Sequence, residues 1–438
     1  MSLPPTRRTW IVGLLVLAAC TDQPQEIPVG PTDPLDRAAE GYVKLVLAVG
    51  RHDADYVDAY YGPADWREPS ASAPLALDTI LARARALLET VEASAGGDGD
   101  EMVELRRRYL ATQLRSLVAR VEMLGGARST FDEESRALYD AVAPAHDERH
   151  YERLLSELAP LLPGQGEVAA RFAAFRERFV IPGHRLDAVF RAAIDECRAR
   201  TQARLKLPPG ESFSVEYVQG KSWSAYNWYQ GGFRSLIQVN IDLPISIDRA
   251  IDLACHEGYP GHHVYNALLE QQLVRDRGWV EFSVYPLFSP QSLIAEGTAN
   301  YGILVAFPGD ERVEFEARVL FPLAGLDPRE AEAYYRVLGQ VERLSYAGNE
   351  AARRYLDGAI DAGAAADWLV RYALMTPERA AQRVRFIDQY RSYVINYNLG
   401  QDLVRSYVER KVGGEADVAR VWEEFGKLLA SPRLPSGL

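Results

Sequence analysis

A proline–glycine pair interrupts the densest group of metal-ligating side chains in the chain, His256-Glu257-Gly258-Tyr259-Pro260-Gly261-His262-His263. Three of the seven histidines fall in these eight residues, with a glutamate among them. Imidazole nitrogens are common zinc ligands, and a neighbouring carboxylate can take a proton from metal-held water. The spacing limits how the chain can fold. Ile247, Ala250, Ile251 and Ala254 follow the i, i+3, i+4, i+7 rule, which predicts a helix whose core stripe they form. His256 then faces about 180° from Ile247, away from the core. On a regular helix His262 would lie about 240° around from His256, and His263 would be in register but about 10 Å along the axis. Neither fits one ion whose ligands sit about 2 Å from it. The usual zinc helix, H-E-x-x-H, puts both histidines on one face, but here position 260 is proline. Proline inside a helix removes a hydrogen bond, and glycine admits unusual dihedrals. The helix is therefore expected to break at Tyr259-Pro260-Gly261 and restart near His262, swinging His262 or His263 back toward His256. Cys255 is turned about 100° from His256 and is not expected to be a ligand.

Zinc needs a third protein ligand and an open position. Glu296 is the best candidate: an acid in the apolar and small-residue run Leu293-Ile294-Ala295-Glu296-Gly297-Thr298-Ala299-Asn300-Tyr301, on a helix that opens at Ser289-Pro290. Burying an acid there is costly unless it is paired or metal-bound. Glu270 and Glu281 are weaker choices. A single zinc ion is the expected cofactor, because mixed imidazole–carboxylate sites suit it. The competing reading has the histidines lining a loop, bonded to backbone carbonyls.

Most of the chain past residue 34 reads as helix, with expected segments at 35–61, 75–95, 102–124, 132–143, 147–162, 167–179 and 184–205, punctuated by Pro and Gly. The texture changes at Pro208-Pro209-Gly210. Residues 212–218 and 233–241 alternate apolar and polar positions, with Trp223, Tyr226, Trp228 and Tyr229 between them, which predicts a small antiparallel sheet just before the histidines. Helices resume near 246, with Ser289-Pro290 and Thr376-Pro377 as N-cap and first-turn pairs. The expected fold is mainly α: a large helical body around a deep cleft, edged by one small antiparallel sheet next to the active-site helix. The body spans 35–438, in an N-terminal helical part (35–207) and a part holding the sheet and the site (208–438).

The N-terminus has its own signature. Arg7-Arg8 precede an apolar run at 10–19, and Leu17-Ala18-Ala19-Cys20 follows. A basic start, a short apolar stretch and small residues describe a secretory signal over 1–19, too short to span a bilayer comfortably. The same four residues resemble the bacterial lipobox, which implies lipidation of Cys20. A Pro- and Asp-rich stretch over 20–34 then reads as a tether to a membrane. The twin arginines also fit a twin-arginine export signal. The expected location is the cell envelope, on the periplasmic face of a membrane. The net charge of −12 argues against nucleic acid as a partner. Lipidation leaves Cys197 and Cys255, expected as two buried thiols or one bridge.

The histidine run, together with Glu296-Gly297-Thr298-Ala299-Asn300-Tyr301, resembles the bacterial domain of unknown function 885 family, with its H-E-x-x-P-G-H and E-G-x-A-x-Y motifs. Asp58-Ala59-Tyr60-Tyr61-Gly62-Pro63 and Asn396-Tyr397-Asn398-Leu399-Gly400 look like its flanking landmarks. More distantly, the chain is similar to Taq-type helical carboxypeptidases and oligopeptidases, from which the longer histidine spacing departs. The resemblance implies a zinc peptidase for short peptides, with His256, His262 and Glu296 holding the metal and Glu257 as general base to metal-activated water. It points to Tyr397 or Tyr393 as donor to the tetrahedral intermediate, to Arg391 or Arg405 for a substrate carboxylate, and to His263 on the substrate side. Residues 233–241 are expected to pair with an extended peptide as an added strand. Core packing with snorkelling arginines is the competing reading of those tyrosines and arginines. A metal- and peptide-binding lipoprotein without catalysis, and a zinc hydrolase of a non-peptide amide or ester, are the alternatives.

Overall fold

A computed structural model of the chain describes residues 33–67, 73–94, 99–414 and 417–438. Helices dominate it. The N-terminal part contains Pro34–Val49, Leu77–Ala93, Glu101–Leu124, Phe131–Tyr139, Glu148–Leu158, Val168–Glu177 and Leu186–Gln202. The ends follow local chemistry: Asp33, Asp100 and Asp147 cap their helices, and Thr130 and Glu133 form a reciprocal capping box. Thr376 caps Pro377–Tyr390 as expected. Ser289 occupies the N-cap of Pro290–Ala306, but its hydroxyl donates back to the Pro286 carbonyl, 2.7 Å away. The signal at 1–19, Cys20 and the tether as far as residue 32 lie outside the described residues. Among the described residues no helix is long and apolar enough to cross a membrane.

Strands among the described residues are β1 (Val57–Tyr60), β2 (Ser212–Val218), β3 (Ala225–Gly231), β4 (Arg234–Asn240) and β5 (Val284–Pro286). The expected helix over 35–61 stops at Val49, where Gly50 turns its N–H onto the Val46 and Ala48 carbonyls. Asp53 is then held by Arg120 at 2.6 Å, and the chain leaves as β1, antiparallel to β5. The aromatic patch between the two expected strands is itself a strand, β3. The order β2-β4-β3 makes β4 central, antiparallel to β3 and parallel to β2. This corrects the expectation that 233–241 could accept a peptide strand, because both edges of β4 are already paired.

The buried side chains form two clusters, and each draws on both parts of the chain. Position 208 thus marks where the sheet begins, with no gap between cores there. Pro290–Ala306 runs through the middle, buried on nearly every face, as its unbroken apolar and small composition requires. It crosses Ile395–Val412 glycine on glycine: a Cβ at Gly297 would stand 2.4 Å from the Gly400 carbonyl carbon, and one at Gly400 would stand 2.7 Å from the Leu293 oxygen. That approach brings Glu296 beside Tyr393 and Tyr397.

Candidate metal centre

The helix from Asp248 does break before Pro260, by a mechanism the sequence did not announce. After Leu253 it widens into a π-turn over Ala254–Gly258, with the Tyr259 N–H reaching the Ala254 carbonyl at 3.1 Å. The extra residue changes the phase of His256 and Glu257 relative to a regular helix. The Gly261 N–H then bonds the Cys255 carbonyl at 2.9 Å, folding the chain back on itself. A Cβ at Gly261 would lie 1.9 Å from the His256 oxygen, so only glycine fits. The helix restarts at His262, as expected, and runs to Leu269. The turn packs on the central helix, where a Cβ at Gly302 would touch Pro260 at 3.0 Å.

The fold-back brings His256, His262 and Glu296 together. The two imidazole Nε2 atoms lie 3.1 Å apart. His256 Nε2 is 3.2 Å from Glu296 Oε2, and His262 Nε2 is 3.7 Å from Glu296 Oε1. Ligands held tetrahedrally about 2.0–2.1 Å from zinc are about 3.3 Å from one another, so the donor set fits one zinc ion. Glu296 Oε2 is buried and under-bonded, with the His256 nitrogen at 3.2 Å in place of a well-aligned donor, a state that suits a cation. A Glu257 oxygen also lies within 4.8 Å of a ring nitrogen of each histidine, so Glu257 belongs to the same cluster of ligand-type groups. Of the two expected candidates for second ligand, His262 is the one in place.

The electrostatics follow from burying unlike charges together. Burial alone would depress His256, but the Glu296 hydrogen bond and the charges of Glu257 and Glu296 raise it to about 9. Burial would raise Glu296, yet hydrogen bonds and charge from His256 and His262 hold it well below the usual carboxylate range. Burial pushes Glu257 up, and the two histidines offset only part of that. A raised carboxylate beside a metal site is suited to moving protons.

Surrounding groups orient the ligands. His256 Nδ1 pairs with Asn300 Oδ1 at 2.9 Å, and the Asn300 amide donates to the Tyr397 carbonyl at 2.9 Å. The Tyr393 hydroxyl donates to Glu296 Oε1 at 2.7 Å. Tyr393 is thereby committed to a ligand, which leaves Tyr397 as the candidate donor to substrate. Asp58 on β1 accepts from the Tyr226 hydroxyl. Burial first, then the charges of Glu296 and Glu257, raise Asp58 to about 6 against the Tyr226 bond and His262. Asp58 also lines a cavity of about 290 Å³ with Trp223, Tyr226, Trp228 and Tyr390, which joins the aromatic patch to the residue whose proton the charges of Glu296, Glu257 and His262 affect.

Other expected site residues lie elsewhere. His263 is fully buried about 100° around its helix from His262, between Ser235 and Glu211, each 2.9 Å away. It braces the scaffold and does not face substrate. Arg391 donates to Glu134 at 2.8 Å and lines a separate cavity with Arg120 and Arg128. Arg405 lies eight residues past Tyr397, about 12 Å along the helix, where its charge acts on Tyr301. Cys197 and Cys255 are buried free thiols with sulfurs 2.7 Å apart. Three residues have roles that the sequence does not assign, although Asp58 and Asn300 lie in segments that carry the family resemblance. Asp58 lies on β1, where the sequence pattern predicts the end of a helix. Asn300 follows Glu296 by four and so shares its face, a readable signal. Arg383 sits on the apolar stripe of Pro377–Tyr390 with Ala380, Ile387 and Tyr390, where an arginine is out of place.

No family model and no curated protein matches the chain. The resemblance to the domain of unknown function 885 family therefore rests on its motif residues. Among solved structures, the chain is similar to one described as "the putative lipoprotein from Colwellia psychrerythraea", at 16% identity and a TM-score of 0.49, covering 81% of this chain. The chain spans 64% of that protein's length. It is also similar to "a putative lipoprotein of unknown function from Shewanella oneidensis", at 14% identity and a TM-score of 0.43, covering 80% of this chain and 72% of that one.

Proposed function

We propose that this chain is a zinc-dependent peptidase for short peptides, exported and anchored through a lipid on Cys20. The observation that carries the reading is the convergence of two imidazoles and a buried, under-bonded carboxylate, spaced like the edges of a zinc tetrahedron. His256, His262 and Glu296 would hold the ion. Zinc in such a site supplies a water acidified to about pKa 7 and a Lewis acid for a carbonyl. The protein groups do the rest. Glu257, with its raised affinity for protons, is placed to accept one from water and return it to the leaving amine. Asn300 fixes the His256 ring, and Tyr393 fixes Glu296. Tyr397 supplies a hydroxyl for the charge that develops on the carbonyl oxygen. The aromatic cavity beside Asp58 takes substrate side chains.

The test is Glu257→Gln. Elemental analysis should find zinc retained at one per chain, and hydrolysis of a peptide library should fall at least about a hundredfold, the scale of general acid–base catalysis. Retained hydrolysis refutes the mechanism. A wild type that binds zinc and peptides but cuts none is a binding lipoprotein, and turnover confined to non-peptide amides or esters makes it a hydrolase of those.

A further inference from the structure

We propose that Arg383 receives a carboxylate carried by the substrate, so that the peptides taken are those with a free C-terminus close to the scissile bond. The inference rests on the peptidase reading and adds the class of peptide. Several buried or partly buried arginines elsewhere in this molecule are paired with acids, and others, such as Arg379 and Arg171, donate to backbone carbonyls. Arg106 holds Glu281 at 2.6 Å, Arg120 holds Asp53 at 2.6 Å, Arg312 holds Asp252 at 2.8 Å and Arg353 is bonded to Glu350. Arg383 has no carboxylate within ion-pair distance among the described residues. Its Nε is shut off from solvent and has no hydrogen-bond partner. The guanidinium is instead stacked on aromatic faces, 4.6 Å from the Phe386 ring centre and 5.5 Å from that of Tyr397.

Leaving a desolvated guanidinium without its anion is expensive, and such a group is retained where an anion arrives from outside. The location fits. Arg383 lies against Tyr397, whose ring is 5.8 Å from that of Tyr393, and Tyr393 donates to Glu296. A planar fork held between rings recognises a carboxylate by two parallel hydrogen bonds. Arg391 is occupied by Glu134 and Arg405 lies farther along its helix, so neither competes for this role.

The experiment compares a pooled tripeptide library as free acids with the same library as C-terminal amides. With wild type, the acids should be cut with kcat/KM roughly 30-fold or more above the amides, the scale for removing one partner of a buried charge pair. Arg383→Met should pull the acids down to the level of the amides and leave the amides nearly unchanged, and Arg383→Lys should restore part of the preference. A merely structural arginine would lower both sets together. Equal rates on acids and amides in wild type overturn the proposal. The same libraries are titrated calorimetrically onto Glu257→Gln protein, which needs no turnover. Acid-selective binding that Arg383→Lys weakens upholds the carboxylate site even if no peptide is ever cut, and its absence overturns the site independently of the peptidase reading.

Discussion

Removing the metal should leave a protein whose stability depends on pH in a direction set by one imidazole. In the metal-free chain His256 binds its proton with a pKa of about 9, against an ordinary 6.5. A group raised in the folded state stabilises it fully below the unfolded pKa, and that contribution is lost as pH rises through the folded one. The shift corresponds to about 3 kcal/mol, present below pH 6.5 and gone above about pH 9. Glu296 reports the same contact from the acid side and is not counted again. Its depressed pKa gives stability present above its unfolded value and lost only as pH falls below that. Asp58, raised to about 6, adds a decline between its ordinary 3.8 and 6. The measurement is urea unfolding in chelator at intervals from pH 6 to 9, for wild type and His256→Asn. Wild type should lose its margin of about 3 kcal/mol over the variant across that range. Zinc requires the neutral ring, so its binding near pH 7.5 should release about one proton, read by titration in buffers of different ionisation enthalpy. A wild-type margin flat from pH 6.5 to 9, or zinc uptake without proton release, would refute the reasoning.

Four further expectations can be checked. Gly297→Ala puts a Cβ against the Gly400 backbone, about 1 Å inside ordinary contact. It should cost about 1–3 kcal/mol by thermal unfolding and reduce hydrolysis about a hundredfold, as Tyr397 is displaced from Glu296. Asn300→Ala and Tyr393→Phe should each weaken zinc about 10–100-fold by competitive chelator titration, with little loss of stability; unchanged affinity would show that those contacts do not tune the ligands. His263→Ala should destabilise the fold by about 1–3 kcal/mol, because Glu211 loses one of its buried partners and keeps Tyr259 and Arg198. A stable variant with altered substrate preference would instead return His263 to the cleft. Cys20→Ala should move the protein from the membrane fraction to the soluble fraction on immunoblots, and persistence in the membrane fraction would reject the lipid anchor.

The sequence made the bend legible because Pro260-Gly261 admits few alternatives, and it made Glu296 legible because an acid in an apolar helix needs a reason. Ligand choice between His262 and His263 was not legible. It depends on how far the preceding turn is wound, and the π-turn at Ala254–Gly258 leaves no mark in residue type. Asp58 was missed because 51–61 carries enough apolar residues to pass as the end of a helix, whereas pairing with β5, more than two hundred residues away, decides its state. The tyrosines were found as a group, but their separate duties depend on a glycine crossing that only three dimensions reveal. Arg391 and Arg405 share the C-terminal stretch with those tyrosines, yet the arginine that stacks on Tyr397 comes from the neighbouring helix.

Adjacent histidines on one helix have been given opposite work. While His262 looks toward the ion, His263 is locked to Glu211, which also accepts from the Tyr259 hydroxyl at 2.5 Å and from Arg198 at 3.0 Å. One acid thus grips the chain on both sides of the bend without touching the ion. The bend that brings His256 and His262 together is accordingly held by the protein's own bonds. On the zinc reading, loading would exchange a proton for the metal at a turn already braced from behind, with little refolding of the chain.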